Sequence, residues 1–317
     1  MHVIARAGLL ALAPMAGGAA ALLTAVAADP GPARVARPVP DPAPLDDPTP
    51  PPRAVTVPGL PYVAIGRHYR VHTDVSDAVA RRGVEWLDAV HASLVERFGA
   101  TASAPTLEGR LTVMVYSDTD AYRRRPESAL RPWPVDDTGA EFVGFFRPRS
   151  GAHACVRPDA WFRRILVHEA AHQLHAKTLG FRGPRWFFEG VAEDVEHDFA
   201  CETELRDCEV HQLQLSHAVR VILAPEFDLA DALWGDPLRG CDRDFDRRSA
   251  GFAIVRFLRE GAGGRYAAWF RSFERQVSRG ARPCRSSDVH ARVYRMEREL
   301  LAFVRTHHAW HPRDRRR

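Results

Sequence analysis

Lysine is almost missing from this chain: of its 44 basic residues, one, Lys177, is a lysine. Arginine carries the rest, a bias that fits a GC-rich bacterial genome better than a binding role. The formal net charge of +4 is modest, and part of the excess lies in the tail, at Arg313, Arg315, Arg316 and Arg317. No basic stripe with interleaved aromatics and no nucleic-acid-binding module is present, so no nucleic acid is expected as a partner. Beyond residue 27 no run is long and apolar enough to span a bilayer as a helix. No internal repeat is visible.

The one apolar run covers residues 7–27, follows the lone basic residue Arg6 and holds no charge. Ala25-Val26-Ala27 fits a small-x-small cleavage site, so residues 1–27 are expected to be a signal peptide. An uncleaved N-terminal anchor is the alternative, and no cysteine stands near the site to support lipidation. The expected location is therefore secreted or extracytoplasmic. Residues 28–61, dominated by Pro, Ala, Asp and Val, should form a semi-extended tether. Folding is expected to start near Tyr62 and run to about residue 310, leaving 311–317 as a basic tail.

Cysteine is scarce, and all five (Cys155, Cys201, Cys208, Cys241 and Cys284) lie after the leader. In an oxidising compartment disulfides form readily. Cys201 and Cys208 bracket an acidic stretch and make the best local pair, and Cys155 is the expected odd thiol. Nothing near Cys155 supplies the base that a cysteine nucleophile needs.

Against this background one stretch carries chemistry: Val167-His168-Glu169-Ala-Ala-His172-Gln173-Leu174. On a helix, residues four apart share a face, so His168 and His172 can present imidazole nitrogens to one cation. Glu169 projects beside them and can act as general base without ligating, the logic of the HExxH zinc hydrolases. Trp161, Phe162, Ile165, Leu166 and Leu174 recur at helical spacing, Asp159 can start the helix and Gly180 can end it. Catalytic zinc keeps three protein ligands and one open position. In known zinc hydrolases the metzincin pattern wants Gly at 175 and His at 178, but this chain has His175 and Thr178. The gluzincin pattern wants a Glu on a second helix, and Glu189, on a helix that Pro184 can introduce, is placed for it.

These residues resemble a known group. His168-Glu169-x-x-His172-Gln followed by Trp186-x-x-Glu189-Gly190-x-Ala192 is similar to the peptidase MA-like gluzincins, bacterial metallopeptidases, and more distantly to the aminopeptidase N class. The resemblance implies His168, His172 and Glu189 as zinc ligands and Glu169 as base. It also implies that Glu193, four residues after Glu189, hydrogen-bonds the first metal-binding histidine. Asp194, Glu196 and Asp198 are expected on a solvated acidic face. Weaker similarity runs from about residue 67 to 275.

The chain departs from the group in two places. The Gly-x-Met-x-Asn strand of the aminopeptidases is missing, since Gly151-Ala-His-Ala-Cys155 is the nearest candidate. An endopeptidase is therefore expected over an aminopeptidase. A strand at 152–156 could still pair with an extended peptide. The position where relatives carry an oxyanion-stabilising Tyr corresponds to Arg248, an electrostatic substitute; His211, His217 and Tyr266 are other candidates. His175, His197, His211 and His217 are expected to be packed histidines.

The expected architecture is α+β: a zincin-like fold with a small β-containing N-terminal lobe and a mainly helical C-terminal lobe. Strands are expected around Val71, at Leu111–Val115 and as a hairpin over 142–157 that turns at Arg147-Pro-Arg-Ser-Gly151. Helices are expected over 75–98, 119–125, 159–179, 185–199, 209–223, 247–260, 265–279 and 288–306. The expected function is a secreted zinc metallopeptidase that hydrolyses peptide or protein substrates by Glu169-assisted attack of zinc-bound water. The alternative is an inactive homologue that binds peptides or the cell wall.

Overall fold

A computed structural model describes residues 57–99, 110–125, 132, 134, 143–149, 151–156, 159–180, 182–200, 209–225, 227–234, 244–280 and 287–308. The leader, most of the tether, the Cys201–Cys208 pair and the basic tail lie outside the described residues. The described part is mixed α+β, with a small sheet and a predominance of helix. Among the described residues no helix is long and apolar enough to cross a membrane.

Five strands form one sheet in the order β1-β2-β3-β5-β4, with β1 Tyr62–Ile65, β2 Tyr69–Thr73, β3 Leu111–Tyr116, β4 Gly144–Arg147 and β5 Gly151–Cys155. β2, β3 and β5 run parallel, and β1 and β4 are antiparallel edges. The expected hairpin is β4–β5, paired from Gly144 with Ala154 to Arg147 with Gly151. β1 was not expected. It is short and follows a Pro-rich stretch, so its pattern carries little signal on its own. Ahead of it, Val57 bridges Leu60, and Leu60 is 2% exposed in the packing beneath.

Alternation along the strands divides the sheet into two faces. Val71, Val113, Val115, Ala152 and Ala154 enter the main core, while Met114, Tyr116 and Cys155 join Leu60 and Tyr122 in a smaller cluster behind. Cys155 is buried. Helix α1, Asp77–Gly99, lays Ala80, Val84, Leu87, Val90, Leu94 and Phe98 on the sheet, a stripe at the spacing an amphipathic helix requires. The short α2, Thr119–Arg123, follows β3 and is capped by Asp118, which accepts from the Ala121 amide at 2.7 Å.

The helical part begins with α3, Asp159–Thr178, and α4, Arg185–Ala200. Gly180 ends α3 in the left-handed region at φ +108°, where its amide bonds the His175 carbonyl. Next come α5 Glu209–Ile222, α6 Leu229–Trp234, α7 Asp244–Glu260, α8 Ala267–Ser278 and α9 Ser287–His308. α7 is the central post: Ala250, Phe252, Ala253, Ile254, Val255, Phe257 and Leu258 are all buried, so it is apolar around most of its circumference. α3 is likewise enclosed, and its polar residues must find partners inside.

Candidate metal centre

Burial along α3 places His168, Glu169, His172, Gln173 and His175 below 7% exposure, where each polar atom costs free energy unless it is satisfied. Two of them have structural partners. Gln173 donates to the Thr112 carbonyl of β3 at 3.0 Å, and His175 Nε2 meets Ser278 Oγ at 2.7 Å while its ring stacks on Phe98. His175 is thus a packed, hydrogen-bonded histidine on the far side of α3.

The other three converge with α4. His168 Nε2 and His172 Nε2 lie 3.4 and 3.8 Å from the same oxygen, Glu189 Oε2, and the two imidazoles meet edge to face. One ligand atom from each of His168, His172 and Glu189 falls within 4.8 Å of the others. Tetrahedral coordination with bonds of about 2.0–2.1 Å separates donor atoms by roughly 3.3 Å, so this group could hold a metal ion. Charge agrees with geometry. Burial, although pressing the other way, is overcome by the two histidines, and the Glu189 carboxyl stays well below its usual range. Burial lowers His172, which keeps its imidazole neutral and able to donate a lone pair.

Glu169 is placed beside this group without joining it. Burial raises its carboxyl to about 8, with His168 opposing that shift and Glu189 adding to it. Its Oε2 is buried and has no hydrogen-bond partner. A buried carboxylate oxygen with no partner points to a ligand or reactant that would complete it. β4 closes the other side, for a Cβ at Gly144 would lie 2.8 Å from Ile165 Cγ2 and 3.0 Å from Glu169 Oε1. The outer strand therefore passes directly over the carboxylate. β5, at 151–155, is paired on both sides and so offers no free edge for the peptide pairing expected there, and β4 is the edge strand.

The carboxylate on His168 is Glu196, where Glu193 was expected. His168 Nδ1 meets Glu196 Oε2 at 3.1 Å, and Arg164 grips Glu196 Oε1 at 2.5–2.6 Å through Nε and Nη2. Seven residues make almost two full helical turns, so Glu196 lies under Glu189 more squarely than residue 193 does. Burial opposes its ionised form, but the His168 bond and the Arg164 charge hold its carboxyl down at about 2. His168 itself is raised. Burial would lower it, and the bonds to Glu189 and Glu196 outweigh that effect. Nδ1 faces Glu196 and Nε2 faces Glu189, so a cation bound beside Glu189 would take the Nε2 lone pair by displacing the proton that these bonds favour. Glu196→Gln is expected to weaken metal binding about 10–100-fold in a chelator-competition titration. Unchanged affinity would remove Glu196 from the site's support.

Nor does Asp194 lie on a solvated face; of the three acids expected there, Asp198 is the exposed one. Asp194 is fully buried, with Arg256 at 3.2 Å and Arg259 at 2.6 Å, and Asp198 meets the same two arginines at 2.6 and 2.5 Å. Periodicity alone could not reveal this, because the neutralising cations come from α7, some sixty residues away. Glu193, 2% exposed, is paired with Arg248. His168, Glu193 and Glu196 also cluster closely enough for a cation. A guanidinium already neutralises each of those two carboxylates, however, which argues against a second ion there.

Among the four oxyanion candidates, Arg248 is the one in contact with a candidate ligand: its Nε is 3.4 Å from Glu189 Oε2. Tyr266 gives its hydroxyl to Glu299 at 2.9 Å, His217 Nδ1 meets Asp246 at 2.8 Å, and His211 packs between His197 and Phe252. In comparisons with known proteins, no family model matches the chain and no curated protein matches it.

Proposed function

We propose that this chain is a zinc-dependent hydrolase of zincin-like fold that cleaves peptide bonds as an endopeptidase outside the cytoplasm. The observation that carries the reading is the convergence of His168 Nε2 and His172 Nε2 on Glu189 Oε2, beside the buried, unbonded Oε2 of Glu169. Two imidazoles and a carboxylate suit Zn²⁺, and three protein ligands leave a position open for chemistry. Zinc bound there supplies Lewis acidity toward a carbonyl oxygen and makes a water more acidic.

The chain's own residues supply the rest. Glu169 Oε2 accepts the proton of the water that attacks the carbonyl carbon, and then delivers it to the departing nitrogen as the C–N bond breaks. In the metal-free chain burial raises this carboxyl to about 8, and a cation on the facing histidines would draw it down again, so that it can serve as a base near neutral pH. Arg248 places positive charge where negative charge grows on the carbonyl oxygen. The β4 edge, Gly144–Arg147, offers backbone groups to an extended peptide and would lead it past Glu169.

The test is direct. The purified protein should hold about one Zn²⁺ and cleave fluorescently labelled casein, lose that activity on chelation and regain it with Zn²⁺. Cleavage by protein shown to be metal-free would reject the reading, and a fully loaded protein that cleaves nothing would favour an inactive binder.

A further inference from the structure

The crossing of α4 and α7 holds an arrangement that metal binding and proton transfer do not by themselves require. The helices touch backbone to backbone. A Cβ on Gly190 would lie 2.4 Å from the Gly251 carbonyl carbon, and one on Gly251 would lie 2.2 Å from the Trp186 carbonyl oxygen. Any side chain at either position would force the helices apart. Gly190 directly follows Glu189, and Gly251 stands three residues after Arg248. The crossing therefore brings Arg248 onto the α4 face that carries Glu189 and Glu193. Further along, Arg256 and Arg259 of α7 pair with Asp194 and Asp198 of α4 and fasten the same two helices again.

Within this frame the Arg248 guanidinium is held by two carboxylates. Nη2 donates to Glu193 Oε1, and Nε faces Glu189 Oε2 at 3.4 Å, which leaves Nη1 outside both contacts. Glu193 is almost fully buried, and among the described residues Arg248 is the cation that pairs with it. Arg248 is less enclosed, its side chain 23% exposed. A buried carboxylate at the base of a partly open arginine is suited to aiming that arginine, since a guanidinium fork is planar and one anchored edge fixes the other.

We infer that Glu193 is a positioning residue: its carboxylate fixes the Arg248 guanidinium beside the His168–His172–Glu189 group, with Nη1 presented to negative charge on the substrate. This rests on the hydrolase reading, yet part of it is measurable without catalysis. In metal-free protein, the Arg248 Nε–H should give a slowly exchanging ¹⁵N–¹H signal, identified by its loss in Arg248→Lys. Glu193→Ala should shift that signal and speed its exchange. With zinc restored, Arg248→Ala should lower casein turnover on the order of a hundredfold. Glu193→Ala should cost on the order of tenfold or more, in kcat and not KM. The double variant should be no worse than Arg248→Ala alone, since Glu193 acts through Arg248. Glu193→Asp should restore part of the loss, and Glu193→Gln serves where the alanine variant does not fold. Zinc content should be unchanged throughout. An Arg248 signal indifferent to Glu193→Ala, or fully additive losses, would overturn the inference. The expected signal in a zinc-loaded protein that cleaves nothing would support the ion-pair positioning and reject only the hydrolase reading.

Discussion

Glu169→Gln is expected to keep about one zinc per chain and to lose casein hydrolysis by roughly 10²–10⁴-fold, the range a positioned general base supplies. Glutamine preserves the shape of the side chain, so Ile165, Gly144 and the rest of the pocket need not move. What it removes is a proton acceptor, and no other carboxylate at the site is free to substitute. Glu189 faces the histidines, Glu193 holds Arg248, and Glu196 is bound by His168 and Arg164. Loss of zinc along with activity would show instead that Glu169 ligates.

The same variant has a signature in the metal-free protein. Burial raises the Glu169 carboxyl to about 8, so the folded chain binds this proton more tightly than the unfolded chain does. From the ordinary carboxylate range near 4.3 up to about 8, the folded state then holds more protons, and this contribution to stability falls as pH rises. Glu169→Gln lacks that loss. Its urea midpoint should therefore gain on the parent's between about pH 5 and pH 8, and a constant difference would argue against a buried, titrating carboxyl.

Why the sequence revealed some of this site and hid the rest follows from the range of the interactions. His168, Glu169 and His172 lie within about one helical turn, so periodicity alone puts them on one side of a helix, whereas Glu189, on the next helix, was legible through the resemblance that its Glu-Gly-x-Ala motif carries. The long helices and the β4–β5 hairpin were legible for the same reason. β1 was not, because four residues with one buried side chain have no distinctive period. Glu196 and Asp194 read as solvated acids because, taken alone, α4 shows four carboxylates in six positions. Only the return of α7 brings Arg248, Arg256 and Arg259 against them, and Arg164 of α3 reaches the same face. That α4 and α7 pack through Gly190 and Gly251 is equally invisible until the two are juxtaposed, although the glycine after Glu189 was already part of the motif.

Removal of a ligand should have the largest effect on the metal itself. His168→Ala or His172→Ala leaves two protein donors where a retained catalytic zinc needs three, and the double variant should purify with essentially no zinc. Full occupancy in the double variant would reject the site. Glu189→Ala should also weaken zinc binding severely, but for a further reason. Glu189 Oε2 is shared by both imidazoles and by Arg248 Nε, so its loss removes a donor and leaves the Arg248 charge facing the ion. Repulsion between a guanidinium and a dication at a buried site adds to the lost bond. Glu189→Gln, which keeps an oxygen donor but not the charge, should fall between parent and alanine variant. Adding Arg248→Ala to Glu189→Ala should then recover part of the affinity in the chelator competition. Recovery would assign the excess loss to charge, whereas equal affinities for the single and double variants would place Arg248 too far from the ion for its charge to matter.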